Sequence, residues 1–364
     1  MARPNTLRVS GFREYVHRVK KDTPLIKVSG LPTLAQVSHP ERQSVVIFDR
    51  ILLKNAAFKK WVAQFDLALP VQAGESLKTV QQYAKVLNQL QAWQNKKLIT
   101  KKLQFVAIGG GSVGDFTGFL ASTYQRGCPL VQIPSTWLSA VDSAHGGKNG
   151  LNLNNVKNQI GTIYPASKVI LSKALLLNQP AERLTEAFGE IIKICLINQP
   201  KLYTQIKFTE DFVWKNLEKF IQAKMVVVKK DPFEKTGYRH ILNLGHTMGH
   251  VYESELGLSH GKAVLMGMVF AARWSFHLGQ LKQKDFVNLT QLITDMPNSE
   301  LAFAKAHKLS KQKITAALNQ DKKSVAAKEK SLRFILIKKP GQVFVAQKTV
   351  SEIVTEFERQ RFHA

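Results

Sequence analysis

The sequence predicts an α/β domain with a parallel, Rossmann-like sheet over residues 1–178, followed by a mainly α-helical domain over residues 179–364. Three observations lead to this prediction. Short apolar, β-branched runs alternate with helical stretches in the first half, a glycine-rich turn follows one of these runs, and long amphipathic segments dominate the second half. Strands that alternate with helices are typical of a parallel sheet.

In the first half, the predicted strands are SVVIFD at 44–49, LQFVAI at 103–108 and VQI within PLVQIPST. A polar helical stretch runs through roughly 76–97, and FTGFLASTYQRG forms another helix after the glycine turn. Together these segments make a strand, turn, helix, strand unit.

In the second half, amphipathic segments at 183–197, 213–228 and 241–256 predict helices, with Pro and Gly mostly between them. A late apolar run at 331–346 predicts a small hairpin that turns at Pro340 and Gly341.

The composition restricts the class of partner. The chain carries 52 Lys+Arg against 26 Asp+Glu, a formal charge of +26, which favours an acidic partner such as nucleic acid, anionic lipid or a small polyanion. No RNP1 motif, zinc finger or basic-region heptad is found, so no nucleic-acid partner is expected. The sequence contains no stretch of about 18 apolar residues, so no membrane span is predicted. Cys128 and Cys195 form no disulfide or metal pattern, so we expect a reducing, cytoplasmic setting.

The glycine turn satisfies the spacing G-x-G-x-x-G with Gly109, Gly111 and Gly114. After a strand and before a helix, such a turn presents backbone N–H groups and a helix N-terminus to a pyrophosphate. The acidic residue that usually follows about 20 positions later is missing, while Asp115 lies inside the helix. The alternative interpretation is a tight turn that packs the helix on the sheet, with Asp115 a first-turn carboxylate.

A second group combines histidines and a carboxylate. His246 and His250 are about one helical turn apart, and His260 follows after a glycine-containing turn. Glu190, with Lys193 three residues on, lies on an otherwise apolar helix where an unpaired carboxylate would be costly to bury. Imidazole and carboxylate are the usual ligands of a catalytic Zn²⁺. The alternatives are an ordinary surface pair for Glu190 and Lys193, and satisfied polar groups for the histidines.

These motifs, in this order, resemble the 3-dehydroquinate synthase family of sugar phosphate cyclases from about residue 44 to about residue 333. The matching segments are Asp49, GESLK, GGGSVGD, YQRG, PSTWLSAVDSAHGGKNGLN, VKNQIG, AFGEIIK and DPFEKTGYRHILNLGHTMGH. Several spaced matches are far more specific than one glycine loop.

The resemblance implies a role for each matching residue. The metal, Zn²⁺ or alternatively Co²⁺, would be bound by Glu190, His246 and His260. NAD would be bound by Asp49, Glu75, Lys78, Gly110, Gly111, Ser112, Asp115, Ser135, Thr136, Asp142, Lys157 and Asn178. Catalysis and substrate binding would fall to Arg126, Asp142, Lys148, Asn158, Lys193, Lys224, Glu234, Arg239, Asn243, His250 and Lys322, with Lys323 as the alternative to the last.

The same resemblance implies the activity: conversion of 3-deoxy-D-arabino-heptulosonate 7-phosphate, a phosphorylated sugar acid, into 3-dehydroquinate and phosphate, a step of the shikimate pathway. It also implies a homodimer in which Arg126 acts across the interface. The alternatives are a sister cyclase acting on sedoheptulose 7-phosphate or glucose 6-phosphate, a metal-dependent polyol or alcohol dehydrogenase, and a non-catalytic basic binding protein.

The sequence departs from the family pattern at four places. Lys262 replaces the glutamate of H-G-E-A-V, Asn149 replaces the threonine of K-T-G, Asn178 stands where threonine is usual, and the segment between His250 and His260 is short. Because nearby carboxylates often orient a zinc-bound histidine, Lys262 makes His260 the ligand to check first.

Overall fold

The structure is a computed structural model that describes residues 23–154, 156–177, 179–296, 299–320 and 331–362. The chain divides into two compact units, one ending at Asn178 and the other beginning at Gln179. Among the described helices, none has both the length and the apolar character needed to cross a membrane. The predicted site residues Asn178 and Lys322 lie outside the described residues.

The first unit contains eight described strands. They are β1 Leu25–Val28, β2 Gln43–Asp49, β3 Ala68–Val71, β4 Leu103–Gly109, β5 Leu130–Pro134, β6 Lys148–Leu153, β7 Val156–Ile163 and β8 Lys168–Ser172. Six of them form one sheet in the order β1-β8-β5-β4-β2-β3, and every neighbouring pair is parallel. The predicted parallel sheet is therefore confirmed, and the predicted strands at 44–49 and 103–108 are β2 and β4.

The central strands are apolar along their whole length because both faces of the sheet are covered. Val45 and Ile47 of β2 join one core cluster, while Val46 and Phe48 join the cluster on the opposite face. All four side chains are buried. Alternate residues of one strand thus stabilise two separate helix layers, as the period of two requires.

The described helices of this unit are α1 Leu34–Val37, α2 Ala56–Val62, α3 Val80–Asn95, α4 Gly111–Thr123 and α5 Lys173–Leu176. The helix predicted over 76–97 begins later, at Val80. Its N-cap is Thr79, whose hydroxyl accepts a hydrogen bond from the Gln82 amide at 3.2 Å. The residues before it form a separate 3₁₀ turn, Glu75–Leu77, because the capping hydroxyl fixes the helix start.

The order of the strands determines where a ligand can bind. From β2 the chain continues to β3 on one side, whereas β4 lies on the other side of β2 and leads on to β5. The crevice beyond the carboxyl ends of β2 and β4 is therefore a topological switch point, the usual ligand site of such sheets. Asp49 ends β2, and Gly109 ends β4 at the start of the glycine turn.

Strands β6 and β7 form a separate antiparallel hairpin that the sequence interpretation did not predict. Its polar strands are anchored by Asn149, whose buried side-chain amide donates to the carbonyls of Gly147 at 2.8 Å and Tyr164 at 2.9 Å. Asn149 also packs against Gly118 of α4, where a Cβ would lie 1.9 Å from its oxygen. The asparagine that replaces the family's threonine is thus fully accommodated.

The second unit is mainly helical, as predicted. Its described helices are α6 Ala181–Asn198, α7 Pro200–Tyr203, α8 Glu210–Lys230, α9 His246–Leu256, α10 His260–His277, α11 Gln283–Thr294, α12 Ser299–Ala306, α13 Lys311–Gln320 and α14 Val350–Phe362. The helix predicted over 241–256 is confirmed from His246 to Leu256, but its predicted start was wrong. A 3₁₀ turn, Tyr238–Asn243, and the left-handed Gly245 (φ +79°) precede α9, so the helix starts at His246.

The predicted hairpin is confirmed as β9 Ser331–Lys339 and β10 Gln342–Thr349, which pair antiparallel. Phe334 of β9 packs against Trp274 of α10 at 4.9 Å between ring centroids. The Ile337 amide donates to the buried Ser275 hydroxyl at 2.9 Å. The hairpin therefore covers the helix that begins with His260.

Candidate metal centre and nucleotide-binding loop

Three predicted ligands meet inside the second unit. Glu190 lies in the middle of α6 and is 4% exposed, while His246 and His260 are the first residues of α9 and α10. One ligand atom from each lies within 4.8 Å of the others. His250, which spacing alone had joined to His246, is not part of this group.

The distances from Glu190 to the two histidines fit a tetrahedral metal ion. Glu190 Oε1 lies 3.5 Å from His246 Nε2 and 3.4 Å from His260 Nε2. Ligands bound at about 2.0–2.1 Å at the corners of a tetrahedron are about 3.3 Å apart. One carboxylate and two imidazoles leave a fourth position for water or substrate, which is the arrangement of a catalytic rather than a structural zinc site.

The other nitrogen of each ring is held by the protein. His246 Nδ1 lies 3.2 Å from the Leu244 carbonyl, and His260 Nδ1 lies 3.3 Å from Glu253 Oε2. An acceptor at Nδ1 places the proton there and leaves the Nε2 lone pair for the metal. Both rings are thus oriented toward Glu190.

Close helix packing brings the ligands together. A Cβ on Gly189, next to Glu190, would lie 2.6 Å from the Gly261 carbonyl oxygen, and a Cβ on Gly261, next to His260, would lie 2.2 Å from the Glu186 carbonyl oxygen. Helices α6 and α10 therefore cross backbone against backbone at these two glycines. Any larger residue at the crossing would move His260 away from Glu190.

Lys193 keeps the Glu190 carboxyl ionised. Burial by itself would raise the pKa of Glu190, but the ion pair with Lys193 and the two histidines hold it well below its usual range. Both partners are buried, at 4% and 5% exposed, so the alternative of an ordinary surface pair is wrong. An ionised carboxylate is the form that binds a metal.

The two histidines differ in their proton affinity. Burial, followed by the charge of Lys193, lowers the pKa of His246 to about 3. Burial also acts to lower that of His260, but hydrogen bonds to Glu190 and Glu253 raise the pKa to about 9. At neutral pH the metal-free site therefore holds one neutral and one protonated imidazole.

The other predicted site residues of the second unit differ in burial. Lys224 is buried in α8. Arg239 is buried, donates to the Pro232 carbonyl at 3.0 Å, and lies 3.7 Å from Glu234 Oε1. Glu234 itself has a left-handed backbone at φ +55°, a strained conformation that is common at functional sites. His250 and Asn243 are exposed, with the His250 ring 5.7 Å from that of His246.

In the first unit, the glycine turn leads directly into α4. Gly110 caps the helix and supplies no side chain to its N-terminus. A Cβ on Gly110 would lie 3.2 Å from Thr136 Cγ2, so the turn packs closely on the end of β5. The Ser135 amide donates to the Gly109 carbonyl at 2.9 Å. A bare helix N-terminus beside the switch point suits a pyrophosphate.

A polar network adjoins this turn. Lys78 is 3% exposed and its ammonium donates to Asp115 Oδ2 at 2.7 Å and to Asn158 Oδ1 at 2.6 Å. The Ser112 hydroxyl accepts from the Gly74 amide at 2.9 Å, and Glu75 Oε2 accepts from Asn152 at 2.7 Å. Asp115 is therefore an ion-pair partner of Lys78. It lies beyond the first turn of α4, so the alternative of a first-turn carboxylate is wrong.

Five other predicted residues of the first unit lie in turns or at exposed positions. Asp49 caps a 3₁₀ turn through a 3.1 Å bond from the Ile51 amide. Asp142 lies in a π-helical turn, Ser139–Ser143, a feature frequent at functional sites. Three cations are exposed: Arg126, Lys148 and Lys157.

Comparison with known families decides what these sites belong to. The profile of the 3-dehydroquinate synthase N-terminal domain matches residues 68–186, and that of the 3-dehydroquinate synthase C-terminal domain matches residues 187–324. Together the two matches cover more than half of the chain. The chain belongs to the 3-dehydroquinate synthase family. This confirms the predicted family, and with it an enzyme rather than a non-catalytic binding protein.

Similar proteins agree with this assignment. The 3-dehydroquinate synthase of Dehalococcoides mccartyi is 34% identical over 360 residues, which covers 94% of each chain. A 2-deoxy-scyllo-inosose synthase complexed with carbaglucose-6-phosphate, NAD⁺ and Co²⁺ has a TM-score of 0.75 at 24% identity, covering 92% of this chain and 96% of that one. The 2-epi-5-epi-valiolone synthase of Streptomyces hygroscopicus subsp. jinggangensis, with NAD⁺ and Zn²⁺ bound, has a TM-score of 0.76 at 19% identity, covering 100% of both. The two structures show that the fold is that of the sugar phosphate cyclases.

The sequence interpretation missed two features that shape the metal centre. Glu253, the partner of His260, follows His250 by three residues but carries no motif of its own. Each ligand also has a glycine as its direct neighbour, at Gly189, Gly245 and Gly261. That repeated adjacency was the available sign of close helix crossings at the metal centre.

Proposed function

We propose that this chain is a 3-dehydroquinate synthase that converts 3-deoxy-D-arabino-heptulosonate 7-phosphate into 3-dehydroquinate and phosphate, with NAD and a divalent metal ion. The observation that carries the proposal is the cluster of Glu190, His246 and His260, with Glu190 at zinc-like separations from both histidines, in a chain of this family. Loss of phosphate accounts for the whole difference between substrate and product, so NAD⁺ is regenerated in each turnover.

The metal would be held by Glu190, His246 and His260. When bound, Zn²⁺ or Co²⁺ supplies a Lewis acid that lowers the pKa of a coordinated hydroxyl and so assists its oxidation. Lys193 keeps Glu190 ionised and places a positive charge next to the metal ligands. His250 is exposed with its ring beside that of His246, and we assign it a hydrogen bond to the substrate.

The buried cations suit a substrate that carries both a phosphate and a carboxylate. Lys193, Lys224 and Arg239 are each less than a tenth exposed, and desolvated cations bind anions more strongly than solvated ones. We assign these three residues, with Asn243 and Glu234, to substrate binding. A small neutral polyol needs no such cations, so this set favours the cyclase over the dehydrogenase alternative.

NAD would be held by the first unit. The helix N-terminus at Gly110 and Gly111 receives the pyrophosphate, and Asp49, at the switch point, lies where a ribose hydroxyl is bound in related sheets. Glu75, Ser112, Ser135 and Thr136 line the same carboxyl-end loops. Asp142, Lys157, and the pair of Lys78 and Asp115 complete the proposed cofactor site. Arg126, Lys148 and Asn158 stay predictions for substrate contact.

A substrate panel tests the proposal. Purified protein with Zn²⁺ and NAD⁺ is incubated separately with the heptulosonate phosphate, sedoheptulose 7-phosphate and glucose 6-phosphate, and phosphate release is followed. We expect release, with dehydroquinate as the second product, from the heptulosonate phosphate alone. Turnover of another sugar phosphate in its place would assign the chain to a sister cyclase. Glu190→Gln, which keeps the shape but not the charge, should lose both bound metal and turnover.

A further inference from the structure

We propose that Glu253 is the positioning residue of the His260 ligand, and that it keeps the metal centre intact in a chain where Lys262 replaces the family's glutamate. The inference rests on the proposed metal binding by Glu190, His246 and His260. It assigns a role to a residue that the motif comparison left without one.

The geometry fixes the His260 ring from two sides. Nδ1 lies 3.3 Å from Glu253 Oε2, and Nε2 lies 3.4 Å from Glu190 Oε1. With a proton on Nδ1 shared with Glu253, the Nε2 lone pair points at the position that the metal would take. Carboxylates in this position set both the orientation and the basicity of a zinc-bound histidine.

The short connection between α9 and α10 explains why Glu253 can reach the His260 ring. Helix α9 ends at Leu256, the left-handed Gly257 (φ +63°) reverses the chain, and α10 starts at His260 only four residues after Leu256. The last turn of α9 is therefore brought back beside the first residue of α10. This connection places the Glu253 carboxylate of α9 beside the His260 ring.

The two histidine ligands differ in this respect. His246 is oriented by a backbone carbonyl, that of Leu244, whereas His260 depends on a side chain. His260 is also the more exposed of the two, at 35% against 15% of the side chain. Without Glu253 the partly exposed His260 ring would keep only its Nε2 contact with Glu190, whereas His246 would keep its backbone acceptor at Nδ1 in any side-chain variant.

The test uses zinc affinity of the full-length protein, measured by competition with a chromogenic chelator. Glu253→Ala should weaken Zn²⁺ binding by about 10–100-fold when affinities are corrected to the deprotonated His260 ring, because loss of Glu253 also lowers the pKa of that ring and so reduces proton competition. Glu253→Gln, which keeps an oxygen acceptor, should recover part of the loss. Glu255→Ala is the matched control, because it removes the same charge from the same helix two residues away. It should leave the affinity within about twofold.

A second readout reports on the ligand itself. The visible absorption bands of the Co²⁺-loaded protein depend on coordination geometry, so Glu253→Ala should change them while Glu255→Ala should not. Because Glu253 is 25% exposed, both variants are expected to fold, which thermal unfolding of the metal-free proteins checks. Wild-type affinity with an unchanged Co²⁺ spectrum in Glu253→Ala would overturn the inference. A wild-type protein that binds no Zn²⁺ would instead contradict the proposed function.

Discussion

The proton balance of the metal centre gives a quantitative prediction for how zinc affinity depends on pH. In the metal-free site the pKa of His260 is raised to about 9 and that of His246 is lowered to about 3. Metal binding requires both imidazoles to be neutral at Nε2. Between these two values His246 is already neutral, and zinc has to displace one proton, from His260.

Zinc affinity should fall as the pH falls, by an amount set by the pKa of His260. Below its pKa, His260 is protonated and competes with the metal, so affinity falls as the pH falls. With a pKa of about 9, protonation of His260 alone lowers affinity by about 8-fold from pH 8.5 to about 7.5, whereas protonation of two unperturbed histidines near 6.5 would lower it by only about 1.2-fold. Calorimetry in buffers of different ionisation enthalpy should find about one proton per zinc released from the imidazoles at pH 7, against about half a proton for the unperturbed pair; ionisation of a zinc-bound water adds the same amount in both cases.

The assay is zinc competition across this pH window, corrected for the chelator's own protonation, together with the calorimetric proton count. Glu253→Ala should flatten the slope, because one of the two carboxylates that raise the pKa of His260 is removed. A zinc affinity that is constant between pH 7.5 and about 8.5 would refute the assigned protonation states of the two histidines.

Two further predictions concern packing and the cofactor. Gly261→Ala should lower the free energy of unfolding by about 1–3 kcal/mol or more and weaken zinc binding, because its Cβ would lie 2.2 Å from the Glu186 carbonyl oxygen. Chemical denaturation measures this, with Gly30→Ala as the control because nothing lies within 4 Å of its Cβ. An unaffected Gly261→Ala protein would show that helices α6 and α10 are not tightly packed where they cross. Lys78→Met should raise the Kd for NAD⁺ by about 10-fold or more, because it removes a charged hydrogen bond to Asp115 beside the glycine turn. Fluorescence titration with NAD⁺ measures this Kd. An unchanged NAD⁺ affinity would show that Lys78 and Asp115 do not belong to the cofactor site.

The fold was predictable where a strand is continuously apolar. The runs that became β2 and β4 are buried on both faces, and such runs are visible in a sequence without any knowledge of their partners. The hairpin of β6 and β7 was not predictable in this way. Its strands mix polar and apolar residues without a continuous apolar run, and the buried Asn149 that anchors it looks in the sequence like an ordinary polar residue.

The metal centre was only partly predictable for a related reason. Spacing along the chain grouped His246 with His250, since they share one helix. The partner that completes the ligand set, His260, lies at the start of a different helix, and only family resemblance selected it. Glu253 could not be found at all from the sequence, because its contact with His260 depends on how the chain reverses at Gly257. Metal ligands can therefore be predicted from sequence motifs, whereas the groups that orient the ligands depend on tertiary packing and cannot.

The central claim, a cyclase that uses NAD⁺ without net oxidation, is tested most directly by the stoichiometry of turnover. Zinc-loaded protein is given the heptulosonate phosphate in large excess over NAD⁺, and phosphate, dehydroquinate and NADH are measured together. The proposal predicts one phosphate and one dehydroquinate for each substrate consumed, many turnovers for each NAD⁺, and no accumulation of NADH. Accumulation of NADH in step with substrate loss, without release of phosphate, would contradict the proposal and indicate a dehydrogenase.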